Sequence, residues 1–272
     1  MQEVSISSSL CTIRVFPTPE YLRRGIRHHG LDFSGYNFDV RYSLEPSYIL
    51  HTRKYRESSL ILEAFTREHG RVALVARGAR GAKSRWKSML QPFRPLLLDW
   101  SQRGEMGTLT GADQVASPPA LADESLFCGI YANELLMRFL QRHDPHPRLF
   151  DRYRQLLGGL AVGEAAQPPL RLFERHLLEA AGFGVQLDHE PGTGAVIDAE
   201  HWYEYVPESG PVRRAGGGGE DDRLVSGGAL LALQSGDIGP EHQRELKFLM
   251  RRLISHYLGD RPLKSQSLFY ES

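Results

Sequence analysis

The pattern of hydrophobic and polar positions divides the chain into a region of short strands followed by a region of helices. Runs of alternating or continuous apolar residues, separated by tight turn signals, indicate strands in the first region. The predicted strands are residues 47–55, 58–66, 71–76, 95–100 and 106–110. Five short strands in succession are typical of a small OB barrel, and an SH3-like barrel would give nearly the same pattern.

From Pro118 onward the apolar residues recur at three- and four-residue spacings, which indicates helices. The predicted helices are residues 120–143, 149–161, 168–181, 226–234 and 240–258. Residues 186–223 are rich in Gly, Pro and acidic residues, so we expect a loop there. The predicted fold class is α+β, with a small N-terminal β-barrel followed by an all-helical C-terminal domain.

These patterns predict three segments along the chain. Residues 1–44 show no persistent period and are expected to be a disordered N-terminal extension, whose Arg/His cluster is interpreted as solvated. Residues 45–116 form the barrel domain. Residues 117–272 form the helical domain, which carries the Gly- and acid-rich insertion at 186–223.

Composition limits the possible functions. The chain has 33 basic and 33 acidic residues, and this zero net charge argues against polyanion binding through a strong global field. Its hydrophobic content of 41% and charged content of 24% are usual for a globular protein. There is no apolar run long enough for a membrane span and no secretory signal, so a cytoplasmic, nucleoid-associated location is expected.

Positive charge is nevertheless concentrated in one segment, residues 70–94, which holds no acidic residue. Its basic residues are Arg71, Arg77, Arg80, Lys83, Arg85, Lys87 and Arg94. The centre of this basic segment is Gly-rich, follows a predicted strand and contains Trp86. Such a segment suits a phosphate backbone, so polyanion binding is the first functional hypothesis.

The last predicted helix carries a basic stripe beside an apolar one. The apolar positions are Leu246, Leu249, Met250, Leu253, Ile254 and Tyr257. The basic positions are Arg244, Lys247, Arg251 and Arg252. Either the helix faces the core with a solvated basic side, or the basic stripe is a second anion-binding surface, and the pattern leaves both possibilities open.

Motifs for catalysis or metal binding are missing. There is no P-loop, no nucleophile elbow and no His-Glu-x-x-His sequence. Asp188, His189, Glu190 and His201 match no standard metal-site spacing, although a metabolic enzyme using this loop is one alternative. Two cysteines, Cys11 and Cys128, cannot form a four-cysteine zinc site and are expected to be free thiols.

Several sequence blocks resemble the RecO family of bacterial recombination mediators. They are Ile49–Leu60, Phe65–Gly70, Ala76–Arg80, Leu90–Phe93 and Tyr257–Ser265. Each block is weak alone, but their order is specific and the resemblance covers about residues 46–269. Two departures stand out. Residues 186–223 lack the four cysteines of the zinc module in many relatives, and residues 1–44 have no counterpart, which we interpret as an upstream start codon assignment.

The resemblance implies an N-terminal OB-fold, a C-terminal helical domain and no enzymatic activity. RecO-like proteins bind single- and double-stranded DNA, anneal complementary strands and bind the acidic C-terminal tail of single-strand-binding protein. With RecR they help to load RecA onto coated DNA. No cofactor is expected, because the zinc ligands are missing.

Combined with the charge pattern, this function places two candidate sites on the chain. The predicted DNA-binding residues are Arg77, Arg80, Lys83, Arg85, Trp86 and Lys87. The predicted tail-binding residues are Arg244, Lys247, Arg251 and Arg252. Trp86 and Phe93 could stack on bases, or Trp86 could pack into the barrel. An RNA-binding OB-fold adaptor would share the basic segment and is the main alternative.

Overall fold

The computed structural model describes residues 4–8, 11–15, 40–162, 166–215, 222–260 and 262–265, with side chains from residue 40 onward. The chain divides into two compact units. The first comprises Met1–Pro118 with Arg142–Pro145, and the second comprises Pro119–Gln141 with His146–Ser272. Within the described ranges, no helix is long and apolar enough to cross a membrane.

A five-stranded barrel dominates the first unit. Two short strands, β1 (Val4–Ser8) and β2 (Cys11–Val15), form a separate antiparallel sheet. The barrel strands are β3 (Val40–Tyr55), β4 (Ser59–Thr66), β5 (Gly70–Ala76), β6 (Leu96–Gln102) and β7 (Gly107–Gln114). Their order is β3-β4-β5-β7-β6, with β6 closing onto β3 and with β5 parallel to β7. This is the topology of an OB-fold, which confirms the predicted barrel and rejects the SH3-like alternative.

The first barrel strand is longer than predicted. It begins at Val40 rather than residue 47, so residues 40–44, which were assigned to the extension, belong to it. Its pairing with β6 shifts between Tyr42 and Glu45, and Leu44 has a φ of 55°. This irregularity and Pro46 interrupt the side-chain alternation on which strand prediction depends. Most of the predicted extension, including its Arg/His cluster, lies outside the described residues.

The barrel interior is filled by alternate side chains from each strand, as the period of two residues in a strand requires. Its fully or nearly buried members are Ile49, Leu62, Ala64, Val72, Leu74, Ala76, Ala79, Leu90, Leu96, Leu98, Trp100, Leu109 and Ala112. A short helix, α1 (Trp86–Met89), follows β5 within the basic segment. Ala79 and Leu90 bury their side chains in the barrel core on either side of α1, so the basic segment is anchored at two points.

Residues 142–145 lie against the start of β5. The His143 N–H donates to the Arg71 carbonyl at 3.0 Å, and Arg142 forms an ion pair with Glu63. Gly70 has a φ of 65°, and a Cβ atom there would lie 2.0 Å from the Asp144 carbonyl oxygen. Glycine is therefore required at this position both by backbone conformation and by the close approach of another segment.

Helices make up most of the second unit. They are α2 (Asp123–Phe139), α3 (Pro147–Ala161), α4 (Gln167–Ala180), α5 (Gly227–Ser235) and α6 (Gln243–Leu258), with a 3-10 turn at Pro240–His242. Each coincides with a predicted helix to within a few residues. The ends follow ordinary signals, because prolines occupy the first turns of α3 and α4, and Gly236 ends α5 with a φ of 90°.

The prediction of an all-helical second domain with a loop at 186–223 was wrong in part. This region contributes to a three-stranded antiparallel sheet of β8 (Trp202–Val206), β9 (Gly210–Arg214) and β10 (Leu224–Ser226), in the order β10-β8-β9. Tyr203 and Tyr205 alternate into the interior and are buried. The strands are short and surrounded by turn residues, so their alternation was obscured. The glycine run at 216–219 lies outside the described residues.

A polar cluster is buried between the helices of the second unit. Arg171 and Glu174 form an ion pair at 3.1 Å, and their side chains are 6% and 0% exposed. The Tyr131 hydroxyl donates to the same carboxylate at 2.7 Å. Burial raises the pKa of Glu174 even though Arg171 lowers it. Nearby Cys128 is free and buried, and burial raises its pKa to about 12, so it behaves as an inert core residue.

Candidate nucleic-acid interface

The basic segment connects β5 to β6 on the surface of the barrel. The five predicted basic contact residues, Arg77, Arg80, Lys83, Arg85 and Lys87, are all exposed. Arg71 and Arg94, at its two ends, are half-buried and engaged in the fold. Arg71 lies 3.8 Å from Glu63, and Arg94 donates to the Gln114 side chain at 2.8 Å. Burial lowers the pKa of Arg71. The positive charge available to a ligand is therefore concentrated between residues 77 and 87.

Arg80 has a structural role that the sequence did not indicate. Its guanidinium donates to the carbonyls of Arg56 and Glu57 at 3.2 and 2.9 Å. The backbone N–H of Arg80 donates to the Ser58 carbonyl at 2.9 Å. These bonds fasten the basic segment to the turn between β3 and β4. The main role of Arg80 is therefore to position the segment, and its guanidinium has fewer donors left for a ligand.

The two predicted stacking residues differ in accessibility. Trp86 is half-buried and packs against the barrel core, and the Arg85 guanidinium lies 4.4 Å from its ring centroid. The packing of Trp86 against the barrel core agrees with one of its two interpretations, and stacking on a base stays a prediction. Phe93 is only 9% exposed, so its ring is not accessible for stacking on a base.

A groove opens at the end of the barrel beside the basic segment. It has a volume of 670 Å³ and is lined by Tyr55, Arg56, Ser58, Arg77, Gly78 and Thr108, among others. The parallel pairing of Val75 with Thr108 brings the end of β5 next to the start of β7, and both residues line the groove. The turn between β3 and β4 forms one wall. In OB-folds this first turn and the loop before the last strand are where oligonucleotides bind.

Sequence reasoning missed the contribution of the end of β3 to this surface. Arg53, Lys54 and Arg56 are exposed there, and Tyr55 between them is half-buried against the groove. The Arg56 guanidinium lies 5.1 Å from the Tyr55 ring centroid. Three basic residues around one aromatic residue are a sequence signal that could have indicated this contribution.

The second predicted site lies on α6. Its apolar stripe is buried at Leu246, Leu249, Met250, Leu253 and Ile254. Tyr257 is half-buried and stacks on Phe183 with ring centroids 4.2 Å apart. The helix therefore packs its apolar stripe into the core, and anion binding by its basic side stays a prediction.

The basic stripe on α6 is only partly available to a ligand. Arg244, Lys247 and Arg251 are exposed, and Arg244 lies 3.5 Å from Asp222 and over the half-buried Phe248 ring. Arg252 instead donates to the backbone carbonyls of Arg223 and Tyr205 at 2.9 and 3.3 Å. It holds the small sheet, so the prediction that it binds a partner loses its physical basis.

The closing sequence block has a clear structural role. The N–H groups of Lys264 and Ser265 donate to the two carboxylate oxygens of Glu134 on α2, at 3.0 and 2.8 Å. Burial alone would raise the pKa of Glu134, but these hydrogen bonds outweigh it and hold the pKa below its usual value. Arg138 donates to the Pro262 carbonyl at 3.2 Å. The block thus fastens residues 262–265 to α2.

The histidine-bearing loop does not assemble a metal site in the described part of the chain. His189 lies 3.2 Å from Asp188, and His201 lies 2.8 Å from Asp198. Among the residues that the structure describes, no three His, Cys, Asp or Glu side chains are placed to hold a metal ion. These pairs are local contacts between sequence neighbours.

Comparison with known proteins identifies relatives along nearly the whole described chain. The family profile described as "Recombination protein O N terminal" matches residues 42–118, and "Recombination protein O C terminal" matches residues 124–267. The DNA repair protein RecO of Nitrosococcus oceani is 46% identical over 233 residues, covering 85% of this chain and 94% of the relative. The Methylococcus capsulatus protein of the same name is 46% identical over 233 residues, which cover 85% of this chain and 95% of the relative. The RecO protein of Haemophilus influenzae is 40% identical over 230 residues, which cover 84% of this chain and 96% of the relative.

Proposed function

Because the chain belongs to the RecO family of DNA repair proteins, which are non-enzymatic recombination mediators, we propose that it binds single- and double-stranded DNA and anneals complementary strands. With RecR, it helps to load RecA onto DNA coated with single-strand-binding protein. The observation that supports this most is the exposed, acid-free segment at residues 77–87 on an OB barrel. Family membership also favours DNA over the RNA ligand of the alternative adaptor function.

Annealing by such a surface needs no chemical catalyst. Two complementary strands repel each other through their phosphates, and a protein that neutralises phosphates on both lowers that barrier. Arg77, Lys83, Arg85 and Lys87 supply donors without acidic neighbours in the segment. Contacts to phosphate carry no sequence information, so binding is sequence-tolerant, as annealing of arbitrary sequences requires.

We propose that the exposed part of the α6 stripe, Arg244, Lys247 and Arg251, binds the acidic tail of single-strand-binding protein. An acidic peptide suits cations spaced three and four residues apart on one helix face. The half-buried Phe248 ring beside them offers apolar contact for a tail side chain. Arg252 is left out of this proposal, because its guanidinium is occupied by backbone carbonyls.

Reversing two charges on this stripe tests the tail proposal. In the variant Lys247→Glu/Arg251→Glu, we expect affinity for a tail peptide to fall by about a hundredfold, since two charge-assisted contacts are lost. Fluorescence anisotropy of a labelled peptide measures this. The control Arg148→Glu/Arg152→Glu makes the same charge change at exposed positions on α3 and should bind as the parent does. Peptide affinity retained in the first variant would place the tail site elsewhere.

A further inference from the structure

We propose that the groove at the end of the barrel holds one unstacked nucleotide of a single strand, an inference that rests on the proposed DNA-binding function. The basic segment beside it contacts phosphates, which single strands and duplexes share. The groove would therefore be the part of the barrel that distinguishes a single strand from a duplex.

The chemistry of the groove lining suits a nucleotide. Tyr55 presents a half-buried aromatic ring, on which a base can stack. Arg56 and Arg77 are exposed cations on two different walls, where they can contact the phosphates before and after that base. The hydroxyls of Ser58 and Thr108 and the Glu57 carboxylate can pair with polar base edges.

The size of the groove limits what can enter it. Its 670 Å³ lies within the range of about 300–1,000 Å³ that is usual for sites binding one small molecule. A single nucleotide fits this range, whereas a base pair within a duplex does not present a free ring face. A duplex base would have to leave its stack first, which costs a few kcal/mol. The groove should therefore favour strands whose bases are already unstacked.

The wall formed by the turn between β3 and β4 is held in place before any ligand arrives. Arg80 fixes this turn through its bonds to the carbonyls of Arg56, Glu57 and Ser58. Arg56 has a φ of 49°, a conformation that non-glycine residues seldom adopt without support. Opposite it, Gly78 has a φ of 67° and open space where a Cβ atom would be. A preformed wall lowers the entropic cost of binding.

The test compares two single strands of equal length, one with bases and one made wholly of abasic residues, in salt that is held constant. Both carry the same phosphates, so their affinity ratio isolates base contacts. For the parent chain we expect a preference for the strand with bases of about 5- to 150-fold. In Tyr55→Ala this preference should largely disappear, while duplex affinity stays unchanged.

Two more variants keep the test independent of folding defects. Tyr55→Phe retains the ring and should retain the preference. Ser58→Leu places a bulky aliphatic side chain, on which a base cannot stack, at an exposed groove position and should weaken the preference without truncating a packed residue. A parent chain that binds neither strand nor duplex would overturn the proposed function itself. A parent that binds DNA but shows no preference for bases, or a Tyr55→Ala variant that keeps it, would overturn the groove proposal alone.

Discussion

Replacing Arg77, Lys83 and Arg85 with glutamine is expected to weaken single-stranded DNA binding about a hundredfold at 0.1 M salt. Each phosphate contact to a single strand contributes about 0.7 to the slope of log affinity against log salt concentration. Losing three contacts flattens that slope by about 2, which amounts to about two decades between 1 M and 0.1 M salt. The two proteins should therefore bind nearly equally at 1 M salt. Titrations of a labelled oligonucleotide at several salt concentrations measure both quantities.

This triple variant spares Arg80, because its loss would disturb the turn between β3 and β4 as well as remove charge. A matched control replaces three exposed arginines on α3, Arg148, Arg152 and Arg154, with glutamine. Equal slopes for the parent and the triple variant would exclude the basic segment from DNA binding. An equal effect in the control would show a diffuse charge effect instead of a site.

The second large effect concerns stability. In Arg171→Met, the Glu174 carboxylate would be left buried without its cation, and we expect the free energy of unfolding to fall by about 3–5 kcal/mol. Chemical denaturation at neutral pH measures it. The control Arg154→Met removes an exposed partner of Asp151 at the same three-residue spacing and should cost less than about 1 kcal/mol. Similar losses in the two variants would contradict a special role for the buried pair.

The pH dependence gives an independent check on this cluster. Burial raises the pKa of Glu174 above its unfolded value, so the folded state holds a proton there more tightly than the unfolded state. The stability that this group contributes therefore falls as pH rises through the interval between its unfolded and its folded pKa. Removing Arg171 takes away the effect that lowers this pKa, which widens the interval. The variant should lose more stability relative to the parent at pH 8 than at pH 5.

The fold was largely predictable because its elements bury one face each. Alternation located the barrel strands, and spacings of three and four residues located the helices. The small sheet was not predicted, because its strands span only five, five and three residues between glycines, prolines and charged turns. The start of β3 was not predicted, because a bulge before Pro46 breaks the two-residue alternation of buried and exposed side chains.

The candidate site was predictable only at the level of charge. Segregation of charge in the sequence indicates where positive residues accumulate, but not which of them are already bonded. Arg80 binds carbonyls 24 and 23 residues away, and Arg252 binds one 47 residues away. Such contacts depend on how strands and helices pack, which a local pattern does not contain. The groove was not predicted either, because it depends on the packing of β5 beside β7, which occurs only in the closed barrel.

In the function proposed above, this chain acts on DNA coated with single-strand-binding protein, through a DNA-binding barrel and a tail-binding helix surface. The most direct test is the annealing rate of complementary strands coated with intact or tail-less single-strand-binding protein, with and without the chain. We expect strong acceleration with the intact coat, little with the tail-less coat, and acceleration again on naked strands. Equal acceleration on both coats, or none on the intact coat, would contradict the proposed function.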